Sequence, residues 1–257
     1  MHKDFEKFCQ RFQELTGKNE DISVTIEKGI PIVQELISSD LWFRDFMKEA
    51  LIERTWLKQQ QPTLWPNELT LYRSPDQSFL VLAYIWEPFS LDAIHDHGSW
   101  GIVASFINDI REVRFRRCDD GTMAGYAELE KTGTRVLKDG EITHILPLNA
   151  GIHQMENLSE EIAVTLNIYG RTVRRGYLQF FDRERKTVKR VYPPRTYKEV
   201  LMVRTIGTMG SGEDILKGAL VNPLPDYVRE EYEAALRTKA KGYLYENPPI
   251  SPLPKGG

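Results

Sequence analysis

The chain is poor in cysteine and histidine. Cys9 and Cys118 are the only cysteines among 257 residues and lie far apart, which excludes a disulfide framework and makes a reducing cytoplasm the expected setting. No apolar run approaches the roughly 20 residues that a membrane-spanning helix needs. The opening "MHKDFEKFCQRF" offers no apolar signal-peptide core, so cytoplasmic localisation is expected. Neither sign of charge dominates. A net charge of −3 gives no electrostatic footing for nucleic acid or an anionic membrane. No internal repeat is present. "NLS" at Asn157 matches a glycosylation acceptor, but without a secretion signal it is discounted.

What remains is an ordinary globular composition, 41% hydrophobic and 28% charged, long enough for one large domain or a domain with extensions. Three textures divide it. Residues 1–65 read as a helical segment. Phe5, Phe8, Cys9, Phe12 and Leu15 follow a 3.6 spacing up to Gly17. A short second helix is expected to begin at Pro31. A third, with Phe43, Phe46, Met47, Ala50 and Leu51 on one face, follows a cap at Ser39 or Asp40. Residues 66–193 are short β-rich runs such as "FLVLAYIW", "GIVASFI" and "IAVTLNIYG" between turns, the texture of a sandwich or barrel. Residues 194–257 form a C-terminal extension: a Gly-rich loop "IGTMGSGED", a helix from Asp226 to Gly242, and the proline-rich arm "NPPISPLPKGG".

Two of the five histidines stand two apart, in "SLDAIHDHGSWGIVASF". On a strand, residues i and i+2 share a face, so His95 and His97 aim at one point. His153, in "PLNAGIHQMEN", follows a Pro and Gly turn suited to a barrel rim. Three histidines leave open positions on a metal, unlike a closed four-ligand structural zinc site. A lone histidine is more often a satisfied core or surface residue. An HxH pair with a later Gly-x-His is not. In "IAVTLNIYG" one face, Ile162, Val164, Leu166 and Ile168, is apolar, and the other carries Thr165, Asn167 and Tyr169. Small neutral polar groups with a tyrosine fit an enclosed polar cavity, although an ordinary half-exposed strand reads similarly.

"IHDHGSWG" followed by "PLNAGIHQMENLSEEIAVTLNIYG" resembles the cupin superfamily, and within it the thiol dioxygenases, cysteine dioxygenase and 3-mercaptopropionate dioxygenase, over residues 68–182. The resemblance implies a double-stranded β-helix (a jelly-roll barrel), assigned here to the all-β class, with the N-terminal helices and C-terminal extension added. It implies Fe(II) bound by His95, His97 and His153, with O2 as co-substrate. The glutamate that usually follows HxH in cupins is absent: Gly101 and Ile102 stand there. It implies that Tyr169 hydrogen-bonds beside the metal. The family usually reads Ser-x-His-x-Tyr on this strand; here it reads Thr165-x-Asn167-x-Tyr169, so the imidazole is lost and any proton relay through it with it. Gly101 replaces a cysteine that some members crosslink to the tyrosine, so no crosslink is expected. Arg73 resembles the arginine with which cysteine dioxygenases hold the substrate carboxylate. Arg175 resembles that of mercaptopropionate dioxygenases, in a loop short enough for Arg174 to substitute. Arg171 and Arg174 read more simply as surface residues paired with carboxylates.

The expected function is therefore oxidation of a small mercapto-carboxylate to its sulfinate, without nucleic acid or membrane partners and with homo-oligomerisation open. Another three-histidine cupin enzyme, such as a diketone-cleaving dioxygenase, and a non-enzymatic metal-bound sensor remain alternatives. The ligand set also accepts zinc, nickel and cobalt. Gly207 and Gly212 stand at P-loop spacing, but Glu213 and Asp214 follow where a phosphate cradle needs Lys and Ser or Thr. His144 reads as a strand residue, and "REVRFRR" as a solvated basic face.

Overall fold

The computed structural model describes residues 2–18, 20–54, 60–174, 176–209 and 212–241. The chain divides into two compact units, residues 1–193 and 194–257.

The first unit opens with α1 (Lys3–Thr16), α2 (Ile22–Ile37) and α3 (Leu41–Glu53). The expected stripe of α1 is its buried face: Phe5, Phe8, Cys9, Phe12 and Leu15. The second helix departs from expectation. It begins at Ile22, behind an Asp21 carboxylate that accepts from the Ser23 amide, and Pro31 lies inside it. A proline deletes one bond to the carbonyl four residues back. Here both Pro31 and Glu27, whose carbonyl loses its partner, lie on the wet face, so water supplies the missing bond while Ile26, Val33 and Leu36 stay buried. Before α3 it is the Ser39 hydroxyl that accepts from an amide, that of Leu41, while Asp40 makes no such bond.

Eleven strands follow: β1 (Glu68–Arg73), β2 (Phe79–Trp86), β3 (Ile94–His95), β4 (Gly101–Ile107), β5 (Ile110–Arg117), β6 (Leu129–Leu137), β7 (Ile142–Ile145), β8 (His153–Glu156), β9 (Ala163–Gly170), β10 (Leu178–Asp182) and β11 (Thr187–Val191). They form two antiparallel sheets, ordered β1-β2-β9-β4-β7 and β11-β10-β3-β8-β5-β6. The expectation of short strands without a helix-length interruption holds. The all-β label does not: six α-helices occur among the described residues. The reason lies in the central strands of the first sheet, whose outer face is apolar. Val81, Ala83, Ile102, Ala104, Leu166 and Ile168 face outward and need a cover. Phe5, Phe8, Phe12 and Trp42 provide it in one continuous cluster. The opposite face, with Leu82, Trp86 and Val103, packs on Ile110 and Met155 of the second sheet.

In the second unit, α4 (Pro194–Thr208), α5 (Gly212–Ala219) and α6 (Asp226–Lys241) enclose Val203, Leu216 and Ala235. The expected helix from Asp226 is present. The expected Gly-rich loop is largely helical: Gly207 lies in α4 and Gly212 opens α5. A Cβ on Gly207 would stand 3.1 Å from that of Ala235, so this glycine marks a close helix approach rather than a turn. The proline-rich arm lies outside the described residues. No described helix is long and apolar enough to cross a membrane.

Phe12 is fully buried at the helix–sheet seam, against Phe8 and Phe79. Phe12→Ala should cost about 3–5 kcal/mol, and Leu51→Ala, at an exposed position, less than about 0.5 kcal/mol. Urea unfolding followed by tryptophan fluorescence measures this, because all five tryptophans precede residue 194.

Candidate metal centre

β3 is two residues long and lies between β10 and β8. His95 is the direct cross-strand partner of His153 and of Phe180. The chain continues in an extended path, held by the Asp96 amide on the Gln179 carbonyl and the Leu148 amide on the His97 carbonyl. His97 therefore returns to the face of His95, as the HxH spacing predicts. The three rings are buried, and one nitrogen from each lies within 4.8 Å of the others.

Two of the rings are fixed from behind. His95 Nδ1 donates to the Ala93 carbonyl at 2.8 Å, and His153 Nδ1 donates to Glu112 Oε1 at 3.0 Å. Each bond selects the tautomer whose Nε2 lone pair points inward. Burial, with the neighbouring His153 ring, pushes His95 down to about 3. Burial, then the other two rings, drives His97 well below its ordinary value. Both imidazoles are neutral and ready to ligate. His97 Nε2 and His153 Nε2 are 2.9 Å apart. A metal about 2.1 Å from each, at a right angle, would set them about 3 Å apart. The residues thus fit a divalent cation held by three imidazoles. No carboxylate or thiolate joins this cluster among the described residues.

The other expected residues are partly brought together. The Tyr169 ring stacks on His97, with centroids 5.4 Å apart. Gly101 makes room for it: a Cβ there would meet that ring at 2.8 Å. Asn167 Nδ2 donates to Tyr169 Oη at 3.0 Å, while Asn167 Oδ1 is buried without a partner. Burial raises the Tyr169 phenol, so it stays protonated. Thr165 is turned elsewhere: its hydroxyl accepts from the Trp86 indole at 3.1 Å. Arg73, exposed at the end of β1, stands opposite Leu80, which stands opposite Tyr169. Arg174 pairs with buried Asp96 at 2.5 Å, the carboxylate partnership expected of it. Arg175 lies outside the described residues. Asn157 is buried and donates to the carbonyls of Trp86, Glu87 and Glu161, a turn-binding role.

Several neighbours were not anticipated. Glu112 lies in "REVRFRR" but faces inward. Burial alone would raise its carboxyl, yet His153 and Arg114 together hold it below the ordinary value, so it is charged. A lone acid among arginines, in step with buried Ile110, was the available signal. Asp92 accepts from the Met155 amide at 2.8 Å, and burial pushes its carboxyl well above the ordinary value. Trp65 stacks on Phe180 and lies 4.9 Å from the His95 ring. Tyr84 donates to Glu68 at 2.8 Å on the same inner face. Loop residues and β1 carry no periodic signal that ties them to the histidines.

No protein-family profile matches the chain. Solved structures to which it is similar include a cupin 2 conserved barrel domain protein from Salinispora arenicola CNS-205, at 16% identity over 40% of this chain and 73% of that one, with a TM-score of 0.29. A protein with a double-stranded β-helix domain from Klebsiella pneumoniae subsp. pneumoniae MGH 78578 shares 12% identity over 50% and 95%, with a TM-score of 0.32. Hydroquinone 1,2-dioxygenase PnpCD, in complex with Cd2+ and 4-hydroxybenzonitrile, shares 12% identity over 45% and 69%, with a TM-score of 0.32. Each likeness spans half of this chain or less.

His97→Ala should abolish stoichiometric binding of a divalent transition metal. Glu112→Gln, which keeps the shape but loses the charge behind His153, should weaken it about 10- to 100-fold. Metal titration by calorimetry measures both, and unchanged affinity in Glu112→Gln would exclude the carboxylate's role.

Proposed function

We propose that the chain is an iron(II)-dependent thiol dioxygenase that converts a small mercapto-carboxylate, of the cysteine or 3-mercaptopropionate kind, into its sulfinate with O2. The observation that carries this reading is the donor set: three buried imidazoles, with no carboxylate among them. Iron(II) held by His95, His97 and His153 would supply the redox chemistry that joins a thiolate with O2. Neutral donors leave the ion's charge uncompensated, which favours an anionic thiolate over a neutral alcohol.

The chain's own residues bind and orient. Tyr169 holds a proton at Oη beside His97, with Asn167 donating to it. Trp65 and Phe180 wall the His95 side with aromatic surface and exclude water. Arg73 stands two strands from Tyr169 on the same face, about 10 Å along the backbone, within reach of a guanidinium that holds a substrate carboxylate bidentately. Arg175 is the other proposed anchor. The reaction balances as RSH + O2 → RSO2H. Sulfur is oxidised, both oxygen atoms end on it, and no external reductant enters. The reading involves a small molecule in the cytoplasm and no nucleic acid or membrane.

O2 uptake by anaerobically iron-loaded protein, with cysteine, 3-mercaptopropionate, mercaptosuccinate and cysteamine, tests it. The expected outcome is uptake with a carboxylated thiol, a product heavier by two oxygen atoms, and none with cysteamine. Arg73→Ala should raise KM about 10- to 100-fold, the loss of a charged hydrogen bond of about 1.5–3 kcal/mol. No uptake with any thiol at full iron occupancy rejects the reading in favour of a non-thiol substrate or a binding role.

A further inference from the structure

Where the first sheet ends against the helices lies a small polar cavity apart from the metal centre. Strand register builds it. Phe79 of β2 stands opposite Gly170 of β9, and Gly101 of β4 opposite Tyr169, so Ser78, Arg171 and Trp100 meet at the ends of three neighbouring strands. The Gly170 amide donates to the Trp100 carbonyl at 3.0 Å. A Cβ on Gly170 would stand 2.2 Å from Trp100 Nε1, so this glycine lets the polar edge of the indole lie over the strand end. Thr16, the last residue of α1, meets Ser78 hydroxyl to hydroxyl at 2.9 Å, and Thr25 comes from α2. The cavity between them measures about 110 Å³ and is lined by Thr16, Glu20, Thr25, Ser78, Trp100 and Arg171.

Its donors are unmatched. Trp100 is 6% exposed and Thr25 5%, yet neither the indole N–H nor the Thr25 hydroxyl makes a hydrogen bond among the described residues, where buried polar groups ordinarily have partners. Arg171, expected to pair with a carboxylate, has no ion pair among the described residues either. Indole and guanidinium can only donate. The acid in the wall, Glu20, places both carboxylate oxygens on Lys28 Nζ, at 2.7 and 2.8 Å. The charge of Arg171 is therefore left without a counter-charge in the wall. A single water needs about 10–15 Å³, so the cavity admits a group of several heavy atoms but not a nucleotide.

We propose that this cavity binds a small oxyanion, of the sulfate, phosphate or short carboxylate kind, held by the Arg171 guanidinium, the Trp100 indole N–H and the Thr25 hydroxyl. A planar guanidinium suits two oxygens of one anion. The site is separate from the three histidines. Trp100 belongs to the helix–sheet cluster on the outer face of the first sheet, whereas Tyr169 packs with the inner cluster. A bound anion would join α2 to the ends of β4 and β9, three residues beyond His97 and two beyond Tyr169.

The Trp100 indole N–H is its own reporter. In 15N-labelled full-length protein, Trp100→Phe identifies its resonance among those of the five tryptophans. Sulfate, phosphate and acetate are then titrated separately at constant ionic strength, with chloride as the balance. The expected result is a saturable downfield shift of that resonance. Saturation with sulfate or phosphate alone marks a tetrahedral ligand, and saturation with acetate a carboxylate. Arg171→Gln, at an exposed position, should weaken binding about 10- to 100-fold. Thr25→Val should weaken it by less, and His97→Ala should leave it unchanged. No shift, or one that stays linear in concentration for all three anions, overturns the site. A saturable shift that persists unweakened in Arg171→Gln but is lost in His97→Ala belongs to the histidine cluster and overturns it as well.

Discussion

Two imidazole nitrogens 2.9 Å apart, in a buried cluster of three rings, are the constraint on which the first unit depends. Burial drives His97 and His95 to the neutral form, and the Nδ1 bond of His153 to Glu112 turns its Nε2 inward as an acceptor. An N–H on His97 Nε2 satisfies one such pair; a cation engages all three rings at once. Metal binding is therefore linked to stability: an ion held only by the folded unit stabilises it in proportion to its affinity.

The helices make such a site affordable in structural terms. A sheet whose outer face is open to water must keep its inner face apolar to fold. Here Phe5, Phe8, Phe12 and Trp42 bury the outer face of the first sheet, so the inner face is free to be polar. That polarity is closely accounted for. The Trp86 indole bonds Thr165, Asn167 bonds Tyr169, Tyr84 bonds Glu68, and the Met155 amide bonds Asp92. Asn167 Oδ1 is left over, an acceptor beside the phenol nearest the metal position.

What was legible in the sequence follows from periodicity. His95 and His97 share a face because strands alternate, and so do Thr165, Asn167 and Tyr169. The α1 stripe was legible because five apolar residues repeat at helical spacing. Pro31 misled, since a proline on the wet side of a well-packed helix costs one hydrogen bond that water replaces. The "REVRFRR" strand misled because composition is blind to which residues of an alternating strand face inward. Glu112 reaches His153 with Arg114 paired to it, and only the pairing of β5 with β8 reveals it. Trp65 and Glu68 reach the site through tertiary packing and strand register, for which a single sequence holds no spacing rule.

The acids around the histidines are not equivalent, and the difference bears on what the site attracts. Burial pushes the carboxyl of Asp92, 3.6 Å from His95 Nδ1, well above its ordinary value. Glu112 is charged but shares its charge with Arg114 at 3.1 Å. His153 is thus backed by a carboxylate and His95 by a carbonyl, so His153 is the stronger donor. The carboxylate charge behind the rings is shared with Arg114. A divalent ion at the three nitrogens would therefore have three neutral imidazoles as its donors, and under the proposed reading its charge would favour an anionic ligand. The neutral phenol of Tyr169, stacked on His97, would add a hydrogen bond without adding charge.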